Sequence, residues 1–272
     1  MSLRFLYETV PGRVILKILT APFISKAAGA YLNTGLSKGL IKGFISRNNI
    51  DMSEYEDVDF KCFNDFFCRE IKPGMRPFST APGDLTAPCD GLLSCYKIKE
   101  DTVIPVKQSE YKISDLLENE SLAKEFYNGS CLVFRLCVNH YHRYAFFDDC
   151  EIKAKRSIKG VLHTVRPVAL ENLPVFVRNS REYSLLGTAN FGTAVQMEVG
   201  AMLVGKIDNY YSGGSHKRGQ QKGRFLYGGS TIIVLLREGA ATVREDILMN
   251  TPEYKETPVK MGEVIGRAQA LS

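Results

Sequence analysis

General acid–base candidates are scarce in this sequence: its histidines are His140, His142, His163 and His216. A stronger chemical signal stands at Gly228-Gly229-Ser230-Thr231, where two glycines precede two hydroxyl residues and the apolar run Ile232 to Leu236 follows at once. This pattern reads as a sharp bend emptying into a buried strand, which pins the Ser230 hydroxyl at the strand entrance. Gly229 has no Cβ to shield its carbonyl and tolerates strained dihedrals, so the Ser230 oxygen can approach the peptide bond before it. An N-to-O acyl shift requires that approach. An ordinary β-turn with a Ser-Thr strand start would use the same residues.

Cys131 to Val138 reads as a strand, and continued extension would project His140 and His142 to the same face as Leu136 and Val138. A His-x-His pair can ligate metal, but no carboxylate stands at ligand spacing beside it, and no metal site is expected. Asp90-Gly91 reads as a hairpin turn. His163 has two readings, as a pocket-lining group or a satisfied core histidine. Ser212 to Gly219 is glycine-rich and basic and could approach a phosphate or form a plain loop. Lys260, in Val259-Lys260-Met261-Gly262, is a weak match to the lysine hairpin of a lipoyl or biotinyl carrier.

The elements that position these groups divide at about residue 50. Residues 3–49 read as helices broken at Pro22 and Gly35. Leu36, Leu40, Ile41, Phe44 and Ile45 share one face of the last helix, against Lys38, Lys42 and Ser46 on another. An acidic stretch, Asp51 to Asp59, leads to a short helix at Phe63 to Arg69 that stops before the turn Lys72-Pro73-Gly74. From Pro77 onward turn signals recur between short β-rich runs, with a helical interval near Ile113 to Phe126. The fold class is α+β, with a mostly antiparallel β sandwich or barrel body carrying an N-terminal helical region. The expected division is 1–50 and 51–272.

The apolar fraction of 44% supports a buried core. The net charge of +5 is concentrated before Ile50, where seven Lys and Arg residues face Glu8 alone. Such a patch meets an anionic surface. The apolar run Val14 to Ala21 with Phe23 and Ile24, bordered by Arg13 and Lys26, suits a membrane interface better than nucleic acid, whose modules interleave more aromatic and Arg residues. The seven cysteines include no Cys-x-x-Cys pair, and a reducing, cytoplasmic-side protein is expected. No window suits a spanning helix and no signal-peptide cleavage pattern is present, so a peripheral association is expected.

Taken in order, Phe63 to Pro77 (FNDFFCREIKPGMRP), Ala87-Pro88-Cys89-Asp90-Gly91, His140 to Tyr144 (HYHRY), Phe191-Gly192 and Gly229-Ser230 resemble the phosphatidylserine decarboxylase family along nearly the whole chain. The resemblance implies a self-processing enzyme. Ser230 would attack the Gly229 carbonyl to give an ester, and β-elimination would cut the chain into fragments 1–229 and 230–272, which remain associated. The serine would become a covalent pyruvoyl group, the only cofactor implied. Phosphatidylserine would condense with it as an imine, lose CO2 and leave as phosphatidylethanolamine.

His142 matches the histidine of the family's Tyr-His-Arg segment and is implied as the proton donor to the decarboxylated carbon. Asp90 is implied as the group that orients an imidazole while it accepts the Ser230 proton. Many members carry a second histidine where this chain has Ala145. His142 then does both jobs, or His140 or His163 supplies the processing base; His142 is favoured. A homodimer is implied as well. The alternatives are a pyruvoyl enzyme for a soluble amino acid and a non-catalytic membrane-binding β-domain.

Overall fold

The computed structural model describes residues 3–20, 22–99, 112–165, 167–170, 173, 175–201, 207–228, 230–253 and 255–269. It opens with α1 (Leu3–Glu8), α2 (Val10–Leu19), α3 (Pro22–Leu32), a 3-10 turn (Gly35–Gly39) and α4 (Leu40–Asn48). Pro11 sits in the first turn of α2, where a missing N–H costs nothing. Gly12 lets α1 and α2 touch, since a Cβ there would lie 1.9 Å from the Phe5 carbonyl oxygen. α4 ends at Asn49 in the left-handed conformation. The apolar face expected on this last helix is split: Ile41 and Phe44 are buried, whereas Leu36 and Leu40 are exposed.

α5 (Phe63–Phe67) follows the acidic stretch. The strands are β1 (Asp84–Thr86), β2 (Gly91–Lys97), β3 (Ser130–Leu136), β4 (Arg143–Ala145), β5 (Cys150–Ile158), β6 (Arg181–Thr188), β7 (Gly192–Val199), β8 (Ile207–Asn209), β9 (Gly214–His216), β10 (Gln221–Phe225), β11 (Ser230–Leu236), β12 (Ala241–Val243), β13 (Thr257–Val259) and β14 (Val264–Ala268). Two short helices, α6 (Ile113–Leu117) and α7 (Glu120–Lys124), fill the expected helical interval.

Among the described residues the strands form an eight-stranded sheet in the order β13-β2-β3-β11-β7-β6-β5-β9 and two three-stranded sheets, β1-β14-β12 and β4-β10-β8. All pairings between these strands are antiparallel. The barrel alternative is corrected: the large sheet is open, with β13 and β9 at its edges. Pro258, in the middle of β13, has no N–H to offer a further strand, which suits it to an edge. No described helix is long and apolar enough to cross a membrane.

β11 lies between β3 and β7 with all seven residues buried. Its branched side chains suit a strand enclosed on both faces. The main core spans the large sheet and reaches Leu6, Tyr7 and Leu16 of α1 and α2. A second, aromatic core joins Leu32, Ile41 and Phe44 to Phe63, Phe66, Phe67 and Tyr141, with Tyr227 packed against it. The basic helices are therefore built into the body at two places.

Candidate active site

Ser230 begins β11 opposite Leu136, the last residue of β3, and is fully buried. β3 stops there. Residues 137–142 turn, with the His140 N–H donating to the Cys137 carbonyl at 3.0 Å, so the extension expected through His140 and His142 does not occur. The turn carries the His142 ring to Ser230, whose Oγ lies 3.4 Å from Nδ1. The other ring nitrogen, Nε2, is 3.0 Å from the Cys137 carbonyl oxygen. A carbonyl only accepts, so Nε2 holds the ring proton and the Nδ1 lone pair faces the serine hydroxyl.

Phe67 of α5 covers the imidazole with ring centroids 4.1 Å apart. Burial, then the positive charge of Arg69, then His140 push the His142 pKa well below the ordinary 6.5. His142 is therefore neutral at pH 7, the state a base needs before it takes a proton.

The segment leading into Ser230 is fastened separately. Asn64 accepts from the Tyr227 backbone N–H at 3.1 Å through Oδ1, and donates from Nδ2 to Asn33 Oδ1 at 3.0 Å. Tyr227 packs edge-on against Phe63 at 5.0 Å and Phe67 at 5.2 Å. Gly228 has φ +136°, a conformation other residues rarely adopt. Gly229 lies outside the described residues.

The other expected site residues lie elsewhere. Asp90 accepts from Arg76 Nε and Nη2 at 2.8 Å each and from the Met261 N–H at 2.8 Å. Its described hydrogen bonds include none to a histidine. The position behind the His142 ring belongs to the Cys137 carbonyl. The charge of Asp90 acts instead on His140, whose pKa burial holds below the ordinary 6.5 while Asp90 opposes that shift. His140 Nδ1 accepts from the Cys137 N–H at 3.1 Å. His163 lies 3.5 Å from the Tyr7 hydroxyl of α1, and burial lowers its pKa to about 4. Neither His140 nor His163 has a described hydrogen bond to Ser230.

The basic loop near Lys217 and Arg218 offers a phosphate little, because Asp149 and Asp148 each hold one cation at 2.8 Å. Lys260 pairs with Glu54, which also binds Arg76. Gly187 to Gly192 closes the β6-β7 hairpin, with no bulge in that pairing.

Several groups at the site escaped sequence reading. Arg69 and Asn64 stand within the Phe63 to Pro77 segment but were masked by its aromatic residues. Glu198 is fully buried on β7 opposite Ile232, on the same sheet face as Ser230. It accepts from Lys222 Nζ at 2.9 and 2.8 Å. A charged residue in the otherwise uncharged run Ala194 to Val199 was the available signal. Among the described residues no three His, Cys, Asp or Glu side chains are grouped to hold a metal.

A family profile described as phosphatidylserine decarboxylase matches residues 63–267, a span that includes Asn64, Arg69, Asp90, His142 and Ser230. The chain belongs to the phosphatidylserine decarboxylase family. A relative from Clostridium acetobutylicum, named phosphatidylserine decarboxylase proenzyme 2, is 44% identical over 266 residues, covering 97% of this chain and 91% of the relative. Phosphatidylserine decarboxylase proenzymes from Ruminiclostridium cellulolyticum and Clostridium perfringens are 41% and 38% identical, covering 97% and 96% of this chain and 90% of each relative. Family membership makes this chain a decarboxylase.

Within that family setting, Ala145 is a buried β4 residue whose carbonyl accepts from Gln196 Nε2 at 3.2 Å. The second histidine implied by many members has no counterpart at this position.

Proposed function

We propose that the chain cuts itself between Gly229 and Ser230 and then decarboxylates phosphatidylserine to phosphatidylethanolamine, with His142 serving both reactions. The contact of 3.4 Å between Ser230 Oγ and His142 Nδ1 carries this reading. His142 takes the hydroxyl proton as Oγ bonds to the Gly229 carbonyl carbon. The C–N bond then breaks, the Ser230 nitrogen gains a proton, and an ester links the two fragments. Loss of the Ser230 Cα proton and cleavage of Cβ–Oγ free Gly229 as a carboxylate and leave dehydroalanine, whose hydrolysis releases ammonia.

Ser230 fits this role because it is buried beside a neutral base and its hydroxyl has no competing described acceptor. The pyruvoyl group so formed supplies a carbonyl that binds the substrate amine and accepts the electron pair left by CO2. His142 would take the proton that the substrate ammonium sheds as its nitrogen is bound and return it to the carbon that lost CO2. The fragments 1–229 and 230–272 stay together because the small one contributes β11, the buried strand between β3 and β7.

The substrate's bilayer meets the basic helices in this reading. On α2, Val10, Arg13, Val14 and Lys17 form one exposed stripe at helical spacing, with Val10 75% and Val14 62% exposed. Leu36, 82% exposed, lies beside exposed Lys38. Apolar groups interleaved with cations favour a peripheral position on an anionic leaflet.

Intact mass spectrometry of the purified protein tests the reading. Two chains are expected, the smaller beginning with a pyruvoyl group in place of Ser230. A single unbroken chain in active material would refute self-processing. Equal turnover of free serine and of phosphatidylserine in anionic vesicles would refute the lipid substrate.

A further inference from the structure

Arg69 is buried to 2% exposure, yet its Nε and Nη1 have no hydrogen-bond partner among the described residues. Nη2 is engaged by the Tyr55 hydroxyl at 3.1 Å and the carbonyls of Asn139 and His140 at 3.3 and 3.4 Å. No described carboxylate forms an ion pair with it. Arg76, by contrast, is held by Asp90 and Glu54. A buried cation without a counter-ion is costly, and orphan N–H donors add to the cost. The protein nevertheless fixes this guanidinium firmly, 4.1 Å above the Tyr55 ring and 5.1 Å from the Phe66 ring.

The location is beside the reacting groups. Phe66 supports Arg69 while its neighbour Phe67 covers His142. The turn whose Asn139 and His140 carbonyls receive Arg69 is the turn whose Cys137 carbonyl holds the His142 ring. Its charge is the second cause of the lowered His142 pKa, so the two groups share one electrostatic environment.

We propose that Arg69 is an anion-binding group for the headgroup phosphodiester of the lipid substrate. The assignment rests on the lipid-decarboxylase reading of the site. A guanidinium donates charge-assisted hydrogen bonds to phosphate oxygens, and Nε and Nη1, which no described group occupies, are the donors left to make them. The substrate carboxylate is the poorer occupant. Its charge leaves that group as CO2 forms, so binding it strongly would stabilise the ground state more than the transition state. The phosphodiester keeps its charge throughout and anchors the amine near residue 230.

The test uses the cleaved wild-type enzyme with glycerophosphoethanolamine, which carries the phosphodiester and no carboxylate, against ethanolamine and serine. Glycerophosphoethanolamine is expected to raise the Tm by several degrees and to inhibit phosphatidylserine turnover competitively. Ethanolamine and serine are expected to do neither. Arg69→Met is expected to lose both responses and to raise the KM at least tenfold, with self-cleavage read by mass as evidence that it has folded.

An unresponsive wild type, or an Arg69→Met protein that responds like it, overturns the proposal. So does serine acting as well as glycerophosphoethanolamine through Arg69, which would make the carboxylate the occupant. Should Arg69→Met fail to fold, Arg69→Lys keeps the charge without the planar fork and is expected to respond more weakly; an unchanged response overturns the assignment. The thermal arm reads the anion site even if no lipid is turned over, so failure of the enzymatic reading stays distinguishable.

Discussion

Two buried histidines face different neighbours in this molecule. His142 and His163 are both depressed in pKa chiefly by loss of water. His163 sits between the Tyr7 hydroxyl of α1 and a backbone fixed by Asn179, which accepts from the His163 N–H at 2.9 Å. His142 instead has a carbonyl on one nitrogen and a serine hydroxyl on the other. Burial makes both rings neutral, but only the carbonyl-selected tautomer aims a lone pair at a nucleophile. What separates a joint between elements from a candidate base is the partner of the free nitrogen.

The sharpest way to break this comparison is His142→Ala, expected to slow self-cleavage at least about 100-fold by time-resolved electrophoresis. Normal cleavage would remove His142 from processing. Asp90→Asn is expected to act mainly on stability, because it leaves the buried Arg76 short of a counter-charge. A Tm drop of about 5–15 °C is expected, from the few kcal/mol typical of a broken buried pair. Lost cleavage at an unchanged Tm would restore Asp90 to a role on the imidazole.

Asn64→Ala sharpens the role of the surroundings. Its loss removes the Asn64 acceptor from the Tyr227 N–H and is expected to slow cleavage by about fivefold, the kinetic equivalent of roughly 1 kcal/mol for one hydrogen bond. An unchanged rate would mean that the aromatic packing alone holds this segment.

The pH dependence separates the histidines again. Because the His142 pKa lies well below 6.5, its basic form persists as pH falls from 8 to 6, and cleavage is expected to change less than about twofold over that range. A rate midpoint near 6.5 would mean that the ring titrates as if in water. For His163 the folded pKa of about 4 lies below the ordinary 6.5, so the unfolded chain binds the proton first. Its stabilising contribution is present above 6.5 and declines as pH falls through about 4. His163→Gln is expected to make the acid-side loss of Tm shallower while leaving cleavage unchanged. This is the smallest effect, and an altered cleavage rate would give His163 a part in the chemistry.

Much of this division was legible in the residues. The strand after Ser230, the short helix at Phe63 and the breaks near Pro22 and Gly35 follow from local patterns of glycine, proline and branched side chains. Their causes are local in sequence, as β11 and α5 show. The open sheet was not legible between the sandwich and barrel alternatives, because closure depends on which strands remain at the edges.

The site divided in the same way. Sequence alone identified a hydroxyl behind glycines and a small set of candidate imidazoles, since residue types declare their chemistry. Tertiary structure decided which imidazole meets the hydroxyl, because the turn after Leu136 redirects His142 and a backbone carbonyl selects its tautomer. It also set Asp90 on Arg76 and, among the described residues, left Arg69 without a counter-charge. Those pairings join residues far apart in the chain, and their energies arise only when folding removes the groups from water and brings their partners within hydrogen-bond reach.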